Sequence, residues 1–237
     1  MPTHVQAMIF DFDGTLAHLT LDFGVMRRNA LTAAHKALRK VWNGTPEAMP
    51  ALPEDDGRPV LEWLELAGTC IAAHCTTTAQ AIITAAHAAI EDVEVEAASR
   101  GSLFPWTRPL LADLKAQNIS VGVITRNCRK AVLTVFPDML DYCACLLARE
   151  DVPRVKPDPD HLLRALSHTG TQPQHSLMVG DHPMDIETGK AGGTLTAGVA
   201  SGNASREVLV AAHPDFVAGN CLELYKALQG TYLPRTA

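Results

Sequence analysis

The chain has 237 residues, of which 47% are hydrophobic, and its 26 acidic and 20 basic residues give a formal net charge of −6 at pH 7. This length and composition suit a globular protein with one large core or two smaller ones. The acidic balance, without any run of Lys or Arg, argues against nucleic acid as a partner.

Membrane and secretion signals are absent from the sequence. No stretch has the roughly 20 apolar residues that a membrane-spanning helix needs. The first residues, Met1–Ala7, carry neither the basic region nor the apolar run of a secretory signal. We therefore expect a cytoplasmic protein with no membrane partner. The six cysteines lack the Cys-x-x-Cys spacing of a zinc site, and we expect most of them to be reduced thiols.

The first predicted element is a short apolar strand that ends in two carboxylates. Ala7–Phe10 predicts a buried strand of a parallel sheet, and Gly14 predicts a tight turn after it. Because Asp11 and Asp13 alternate with Phe12, both carboxylates can face one side while Phe12 stays with the core. Asp and Gly are also ordinary residues of surface turns, so this segment alone fits either a turn or a cation site.

A long Ala-rich segment with helical periodicity follows. We interpret residues 18–102 as a helical domain inserted into a core domain made of residues 1–17 and 103–237. Asp22 can cap the first helix, and Pro59 suits the first turn of the second. The segment predicts helices at about residues 22–42, 59–74 and 76–99.

Short apolar strands alternate with helices from Phe104 onward, which indicates an α/β fold with a parallel sheet. The predicted strands lie at residues 119–124, 142–147, 176–179 and 195–199 and near residue 216. The predicted helices lie at residues 110–117, 129–135, 161–169, 185–191 and 222–228.

Polar side chains follow several of these strands. They are Thr125, Arg126 and Asn127 after the strand at 119–124, Lys156 in a turn stiffened by two prolines, and Asp181 and Asp185 after the strand at 176–179. Ligands of open α/β sheets bind at the carboxyl ends of the strands, where the winding direction reverses. We therefore expect Asp11, Thr125 and Asp181 to converge although they are far apart in the chain.

In this order, the four motifs resemble those of the haloacid dehalogenase superfamily of phosphohydrolases, and most closely its phosphoglycolate-phosphatase-like members with a helical cap. The resemblance covers most of residues 7–200, including the small-residue segment Gly189–Gly193, and its motifs are specific jointly but weak singly. It implies a Rossmann-like parallel sheet core whose inserted cap can close over the crevice. It also implies a magnesium-dependent phosphatase that acts on a small phosphorylated metabolite.

The resemblance further implies a role for individual residues. Asp11 attacks phosphorus and forms an aspartyl-phosphate, while Asp13 protonates the leaving oxygen and later activates water. Lys156 holds Asp11 and the transferring oxygens. The magnesium ion takes carboxylate oxygens from Asp11 and Asp181 and the backbone carbonyl of Asp13. Asp185 supports the ion directly or through water.

Charge balance also argues for a cation among these carboxylates. One like-charge pair 4 Å apart costs about 4 kcal/mol at an effective dielectric constant of 20, and one lysine cannot balance the whole set. Magnesium prefers about six oxygen ligands and commonly bridges carboxylates to phosphate. An alternative for Asp185 is that it only caps its helix.

The residues after the strand at 119–124 would bind the substrate. Thr125 offers a hydroxyl donor to the phosphate, and Asn127 lies beside it. Arg126 departs from the family's commonest residue, and its guanidinium either contacts an anionic group or projects to solvent. We expect His182 outside the metal site because magnesium prefers oxygen, and we expect the other nine histidines on the surface or on helix faces.

The sequence is also compatible with other functions. A phosphomutase would use Asp11 and Asp13 in the same way but return the phosphoryl group to its substrate. A receiver-like signalling module also combines acidic residues, Thr and Lys around magnesium, but it expects neither an acid two residues after the nucleophile nor an inserted domain. A non-catalytic scaffold would not require all of these charged positions. Dehalogenase chemistry is disfavoured because position 13 is an acid.

Overall fold

The computed structural model describes residues 4–234 as an α/β protein built on a parallel sheet. Its strands are β1 (Ala7–Phe10), β2 (Ala17–His18), β3 (Ser102–Leu103), β4 (Ser120–Ile124), β5 (Cys145–Leu147), β6 (Ser176–Gly180), β7 (Leu195–Val199) and β8 (Phe216–Ala218). Six of them form the main sheet in the order β5-β4-β1-β6-β7-β8, while β2 and β3 form a separate antiparallel pair.

Helices connect the strands. They are α1 (Phe23–Val41), α2 (Val60–Ala72), α3 (Thr76–Arg100), α4 (Thr107–Ala116), α5 (Arg129–Val135), α6 (Pro159–Thr169), α7 (Pro183–Gly192), α8 (Arg206–Ala211) and α9 (Cys221–Leu228). Short 3-10 helices occur at Pro46–Ala48, Met139–Asp141, Arg149–Asp151 and Pro173–His175. None of the helices within residues 4–234 combines the length and the apolar character needed to cross a bilayer.

Strand β1 lies at the centre of the main sheet. Every residue of β1 is buried, as expected for a strand of a parallel sheet that is covered on both faces. Phe10 pairs with Val123 of β4 on one side and with Val179 of β6 on the other. The backbone N–H of Asp11 then donates to the carbonyl of Val179 at 2.9 Å. The residues that follow β1, β4 and β6 therefore emerge side by side.

The chain divides into two compact units. One comprises the residues up to Thr20 together with those from Ala98 onward, and the other comprises Leu21–Ala97. The first unit holds the main sheet, and its two chain segments are joined by β2 and β3, in which Ala17 pairs with Leu103. The assignment of core and cap domains, with boundaries at residues 17 and 103, stays a prediction.

The second unit has its own apolar core. Trp63 is completely buried in it, and its indole N–H donates to the carbonyl of Pro53 at 3.3 Å. Helix α1 begins after Asp22, whose carboxylate accepts a hydrogen bond from the N–H of Val25, as a capping residue does. The buried members of this core include Met26, Ala30, Ala34, Leu38, Leu64, Ala67, Ile71, Ile82, Ala86 and Ile90.

Most of the predicted helices and strands are present in this structure. The differences are in short segments, whose conformation depends on tertiary contacts. Strand β7 and helix α5 have the predicted bounds. Strand β5 begins at Cys145 rather than at residue 142, because the preceding residues wind into a 3-10 helix in which Tyr142 donates to the carbonyl of Met139. The sequence did not predict α8 or the pair of β2 and β3, which are too short to show a period.

Candidate active site

Three carboxylates come together where β1 and β6 end. Oxygens of Asp11, Asp181 and Asp185 all lie within 4.8 Å of one another, and all three residues are buried. Asp11 follows β1 directly and Asp181 follows β6, while Asp185 lies in the first turn of α7. The structure therefore brings together three of the four acidic residues expected at the metal.

Lys156 is the cation of this cluster. Its Nζ lies 2.5 Å from Oδ1 of Asp11 and 2.6 Å from Oδ1 of Asp185, and the residue is only 3% exposed. Burial lowers the pKa of a lysine, but the attraction of the two carboxylates outweighs it here and holds the pKa of Lys156 above its ordinary value. Lys156 therefore stays charged.

One ammonium group does not balance three buried carboxylates. Burial raises the pKa of Asp11 to about 7, with Asp185 and Asp181 adding to the shift and Lys156 opposing it. Burial likewise raises the pKa of Asp181 to about 6, and repulsion from Asp185 contributes. A donor set of closely spaced, undercompensated carboxylate oxygens suits a hard divalent cation such as magnesium. The residues present thus fit the metal that the family resemblance implies.

A loop that the sequence analysis did not single out holds Asp181. The backbone N–H of Asn203 donates to Oδ2 of Asp181 at 3.0 Å, and the hydroxyl of Ser201 donates to the carbonyl of Gly14 at 2.8 Å. A Cβ atom at Gly202 would lie 1.9 Å from that same Oδ2, and one at Gly14 would lie 2.4 Å from it. Both loops therefore need glycine to approach the carboxylate. The Ser-Gly-Asn sequence after β7 was the available signal of a turn.

Asp185 serves both the cluster and its helix. While Oδ1 accepts from Lys156, Oδ2 accepts from the backbone N–H of His182 at 3.2 Å, which completes a capping box. His182 is exposed, and its Nδ1 accepts from the N–H of Met184 at 3.1 Å. Asp185 is therefore both a member of the carboxylate cluster and part of the cap of α7. His182 is the N-cap residue of that helix.

Asp13 lies apart from the three clustered carboxylates. Its Oδ1 accepts a hydrogen bond from the backbone N–H of Leu19 at 2.8 Å, and the residue is half-buried. Burial raises the pKa of Asp13 to about 7, although the bond from Leu19 opposes the shift and the charge of Asp11 adds to it. A carboxyl group in this environment holds a proton close to neutral pH, as a general acid must.

Two buried polar side chains follow the end of β4. Thr125 is only 1% exposed, and its Oγ1 accepts from the backbone N–H of Asn127 at 3.1 Å and donates to Oδ1 of Asn127 at 3.3 Å. Within residues 4–234, the buried Nδ2 of Asn127 has no hydrogen-bond partner. Arg126 is half-buried, with Nη1 3.3 Å from the sulfur of Met184. The side chain of Arg126 is therefore packed against α7 rather than fully solvated.

One histidine lies on the buried side of its helix. His161 was expected on the surface or on a helix face, and it lies on the face of α6 that is completely buried. Its Nδ1 accepts from the backbone N–H of Lys156 at 3.3 Å, and its Nε2 lies 3.0 Å from the carbonyl of Leu147, to which it donates. A histidine in the first turn of a helix, five residues after the lysine, was the only local signal.

Comparisons with known proteins agree with this geometry. Residues 5–193 match a family model described as haloacid dehalogenase-like hydrolase. A phosphoglycolate phosphatase of Salmonella typhi is 32% identical over 136 residues, which are 56% of this chain and 54% of that protein. The pyrophosphatase PpaX of Oceanobacillus iheyensis is 30% identical over 116 residues, or 48% of this chain and 54% of that protein. The chain thus spans about half the length of the curated relatives that it matches.

Solved structures share the fold over almost the whole chain. A protein of Bacteroides fragilis assigned to the haloacid dehalogenase-like hydrolases is 27% identical, with a TM-score of 0.59 over 93% of this chain and 99% of that one. A phosphonoacetaldehyde hydrolase-like protein of Oleispira antarctica is 18% identical, with a TM-score of 0.63 over 96% of this chain and 92% of that one. The second similarity concerns the fold alone.

Proposed function

The chain belongs to the haloacid dehalogenase-like hydrolases, and from this membership and its buried carboxylates we propose that it is a magnesium-dependent phosphatase of a small phosphorylated metabolite. The reaction would pass through an aspartyl-phosphate. The observation that carries the proposal is the cluster of Asp11, Asp181 and Asp185 around the ammonium group of Lys156. A structural ion pair alone would not require so many undercompensated carboxylates.

The carboxylates would hold the metal ion. Asp11, Asp181 and the backbone carbonyl of Asp13 are the proposed ligands, with Asp185 acting directly or through water. When bound, magnesium would neutralise negative charge and orient the phosphoryl group. The raised pKa values of Asp11 and Asp181 support this assignment, because burial and the neighbouring carboxylates both disfavour the ionised groups unless a cation is bound.

Asp11 is the proposed nucleophile. Its Oδ1 is fixed by Lys156, so the carboxylate has one orientation, and its second oxygen would attack phosphorus. The new bond joins that oxygen to phosphorus as the bond from phosphorus to the leaving oxygen breaks. Lys156 would stabilise the negative charge of both the carboxylate and the transferring oxygens.

Asp13 would move the protons. Protonated, it would donate to the leaving oxygen during the first step, so that an alcohol leaves rather than an alkoxide. Ionised by that transfer, it would accept a proton from the water that attacks the aspartyl-phosphate, which releases phosphate and restores Asp11. The pKa of about 7 supports both states of Asp13 near neutral pH.

The strand end at β4 would bind the phosphoryl oxygens. The unpaired Nδ2 of Asn127 is one proposed donor, and a buried amide donor with no protein partner supports a ligand at this place. The hydroxyl of Thr125 is the other, and it would turn from Oδ1 of Asn127 toward the phosphoryl oxygen. Arg126 would add a contact to an anionic group of the substrate.

Release of inorganic phosphate tests the proposed function. The names of the relatives suggest phosphoglycolate and pyrophosphate as first substrates, beside sugar phosphates and nucleotides. We expect release from at least one of them in magnesium and loss of release in a chelator. Full activity in the chelator, or no release by folded protein across the panel in magnesium, would contradict the proposal. Phosphoryl transfer to a second position of the substrate, without free phosphate, would identify a phosphomutase instead.

A further inference from the structure

A buried imidazole lies behind the lysine of the active site. His161 has no exposed surface and occupies the first turn of α6. Its two ring nitrogens contact two different backbone segments, the N–H of Lys156 at 3.3 Å and the carbonyl of Leu147 at 3.0 Å. The ring thus connects the loop that carries the lysine to the end of β5.

The carbonyl of Leu147 has a second donor. The backbone N–H of Thr125 donates to it at 3.1 Å. A continuous set of hydrogen bonds therefore runs from Thr125, through the Leu147 carbonyl and the ring of His161, to the backbone of Lys156. From there the side chain of Lys156 reaches Asp11. The residue proposed to bind phosphate and the lysine proposed to hold the nucleophile share one support.

Only a neutral imidazole can make both contacts at once. Nδ1 must accept a proton from Lys156 N–H while Nε2 donates one to Leu147, which fixes the tautomer. Burial and, to a smaller extent, the charge of Lys156 together lower the pKa of His161 to about 4, so the ring is neutral near pH 7. An aliphatic side chain of similar size would leave the Lys156 N–H without this partner.

We propose that His161 is a positioning residue that holds the Lys156 loop in register with Thr125 and thereby places the lysine ammonium group on Asp11. The inference rests on the proposed function for the role of Lys156 in turnover, while the hydrogen-bonded link itself rests on the structure alone. His161 touches neither substrate nor metal in this scheme.

Two substitutions separate the contacts of the ring. His161→Asn places an amide oxygen near the position of Nδ1 and keeps an acceptor for Lys156. His161→Leu removes both polar contacts. Because a displacement of about 1 Å can cost roughly a hundredfold in rate, we expect His161→Leu to lower kcat by about tenfold or more and to change KM by less than about threefold. We expect His161→Asn to recover most of kcat.

Two control variants distinguish positioning from loss of stability. His168→Gln changes an exposed histidine of the same helix, and Leu166→Ala removes buried apolar atoms of α6 but keeps the imidazole of His161. Both should keep the parental kcat, although Leu166→Ala should lower the melting temperature. Parental kcat in folded His161→Leu, or an equal loss in Leu166→Ala, would overturn the proposal.

Amide hydrogen exchange gives a readout that does not depend on turnover. Measured by NMR, exchange of the Lys156 amide should be slow in the parent and in His161→Asn, and faster in His161→Leu. If His161→Leu does not fold, His161→Gln replaces it, since its longer side chain reaches toward Leu147 without an acceptor at Nδ1. Equal exchange and equal kcat in the Asn and Gln variants would overturn the inference. A parent without phosphatase activity would instead overturn the proposed function and leave the exchange result to decide this one.

Discussion

Oδ1 of Asp11 and Nζ of Lys156 lie 2.5 Å apart in a buried ion pair that joins residues 145 positions apart in the chain. The pair fixes the orientation of the carboxylate proposed as nucleophile. It also means that this carboxylate and this lysine cannot be changed independently, because removing either partner leaves a buried charge with less compensation. Asp11→Asn keeps the shape of the side chain, and Asp185 then remains as the ion-pair partner of Lys156.

Asp11→Asn should abolish almost all turnover while the protein stays folded. The amide keeps the shape of the side chain but is no longer a nucleophilic anion, so we expect a loss of about a thousandfold or more in the rate of phosphate release. The matched control is Asp22→Asn, since Asn caps a helix about as well as Asp. Activity of Asp11→Asn within about tenfold of the parent, or about 1.4 kcal/mol in barrier, would exclude Asp11 as the nucleophile.

Asp13→Asn should affect substrates according to their leaving groups. An alkyl phosphate needs a proton on its leaving oxygen, whereas an aryl phosphate needs less help, so the first step should survive better with the aryl substrate. Hydrolysis of the intermediate would still be slow. Rapid-quench kinetics should then show a burst approaching one equivalent per site if phosphorylation outruns hydrolysis. An equal loss on both substrates, with unchanged fold and metal affinity, would leave Asp13 only a positional role.

Magnesium should stabilise the folded protein. Binding to the native state adds about 2.7 kcal/mol at a hundredfold excess over Kd, which thermal melting detects readily. Calcium should also raise the melting temperature, but its looser coordination permits bidentate carboxylates that occupy the oxygen of Asp11 needed for attack. Phosphate release should therefore be far slower in calcium. Equal rates with both ions would refute this account of the metal.

The stabilisation by magnesium should grow with pH. The pKa values of Asp11 and Asp13 are raised to about 7 and that of Asp181 to about 6, whereas an unfolded aspartate titrates at about 3.9. Without metal, the folded protein therefore binds more protons than the unfolded chain, and its stability falls as pH rises from about 4 to about 7. Magnesium supplies the positive charge that the ionised carboxylates lack.

The titration of His161 changes the stability of the folded protein with pH in the opposite direction. Its pKa is lowered to about 4, so its contribution to stability is present above about pH 6.5 and is lost as pH falls toward 4. This contribution is the same with and without metal and cancels in the difference. Melting temperatures in magnesium and in chelator should thus diverge between about pH 5 and about pH 7.5. A constant or shrinking difference would contradict the raised carboxylate pKa values.

Gly202→Ala should weaken metal binding. The new methyl group would lie 1.9 Å from Oδ2 of Asp181, so the carboxylate or the loop must move. We expect metal affinity to fall by on the order of tenfold or more, with about 1–3 kcal/mol lost from the free energy of unfolding. The control is Gly24→Ala in the second residue of α1, where the nearest atom to the new methyl group would be Oδ1 of Asp22 at 3.2 Å, so only side-chain atoms need a small shift. Titration of magnesium by calorimetry measures the difference.

The sequence predicted the sheet and the carboxylates because their signals are local. An apolar run followed by Asp and Gly indicates a buried strand and its turn, whichever strands pair with it. The apolar run of β7 was likewise sufficient to predict that strand, although no functional motif follows it. The contacts that complete the cluster are not local. Nothing near Asp181 in the chain indicates that the N–H of Asn203 donates to it.

Burial of polar residues was the least predictable feature. His161 lies on the buried side of α6 because both of its nitrogens find backbone partners there, from Lys156 and from Leu147. A helical pattern shows which side of a helix is apolar. The pattern does not show whether a histidine on that side has hydrogen-bond partners in the folded protein. The two-residue strands β2 and β3 could not be predicted either, because each is a strand only through its pairing with the other.

The central position of β1 has a consequence for the nascent chain. Phe10 has its partners at Val123 and Val179, so β1, which is made before the other strands of the main sheet, waits longest for a neighbour. At roughly 5–20 residues per second, synthesis of the intervening chain takes on the order of ten seconds. During that time a fully apolar strand has both edges open, while Leu21–Ala97 already contains its own core. The chain therefore exposes β1 to aggregation and chaperone binding until β4 is made.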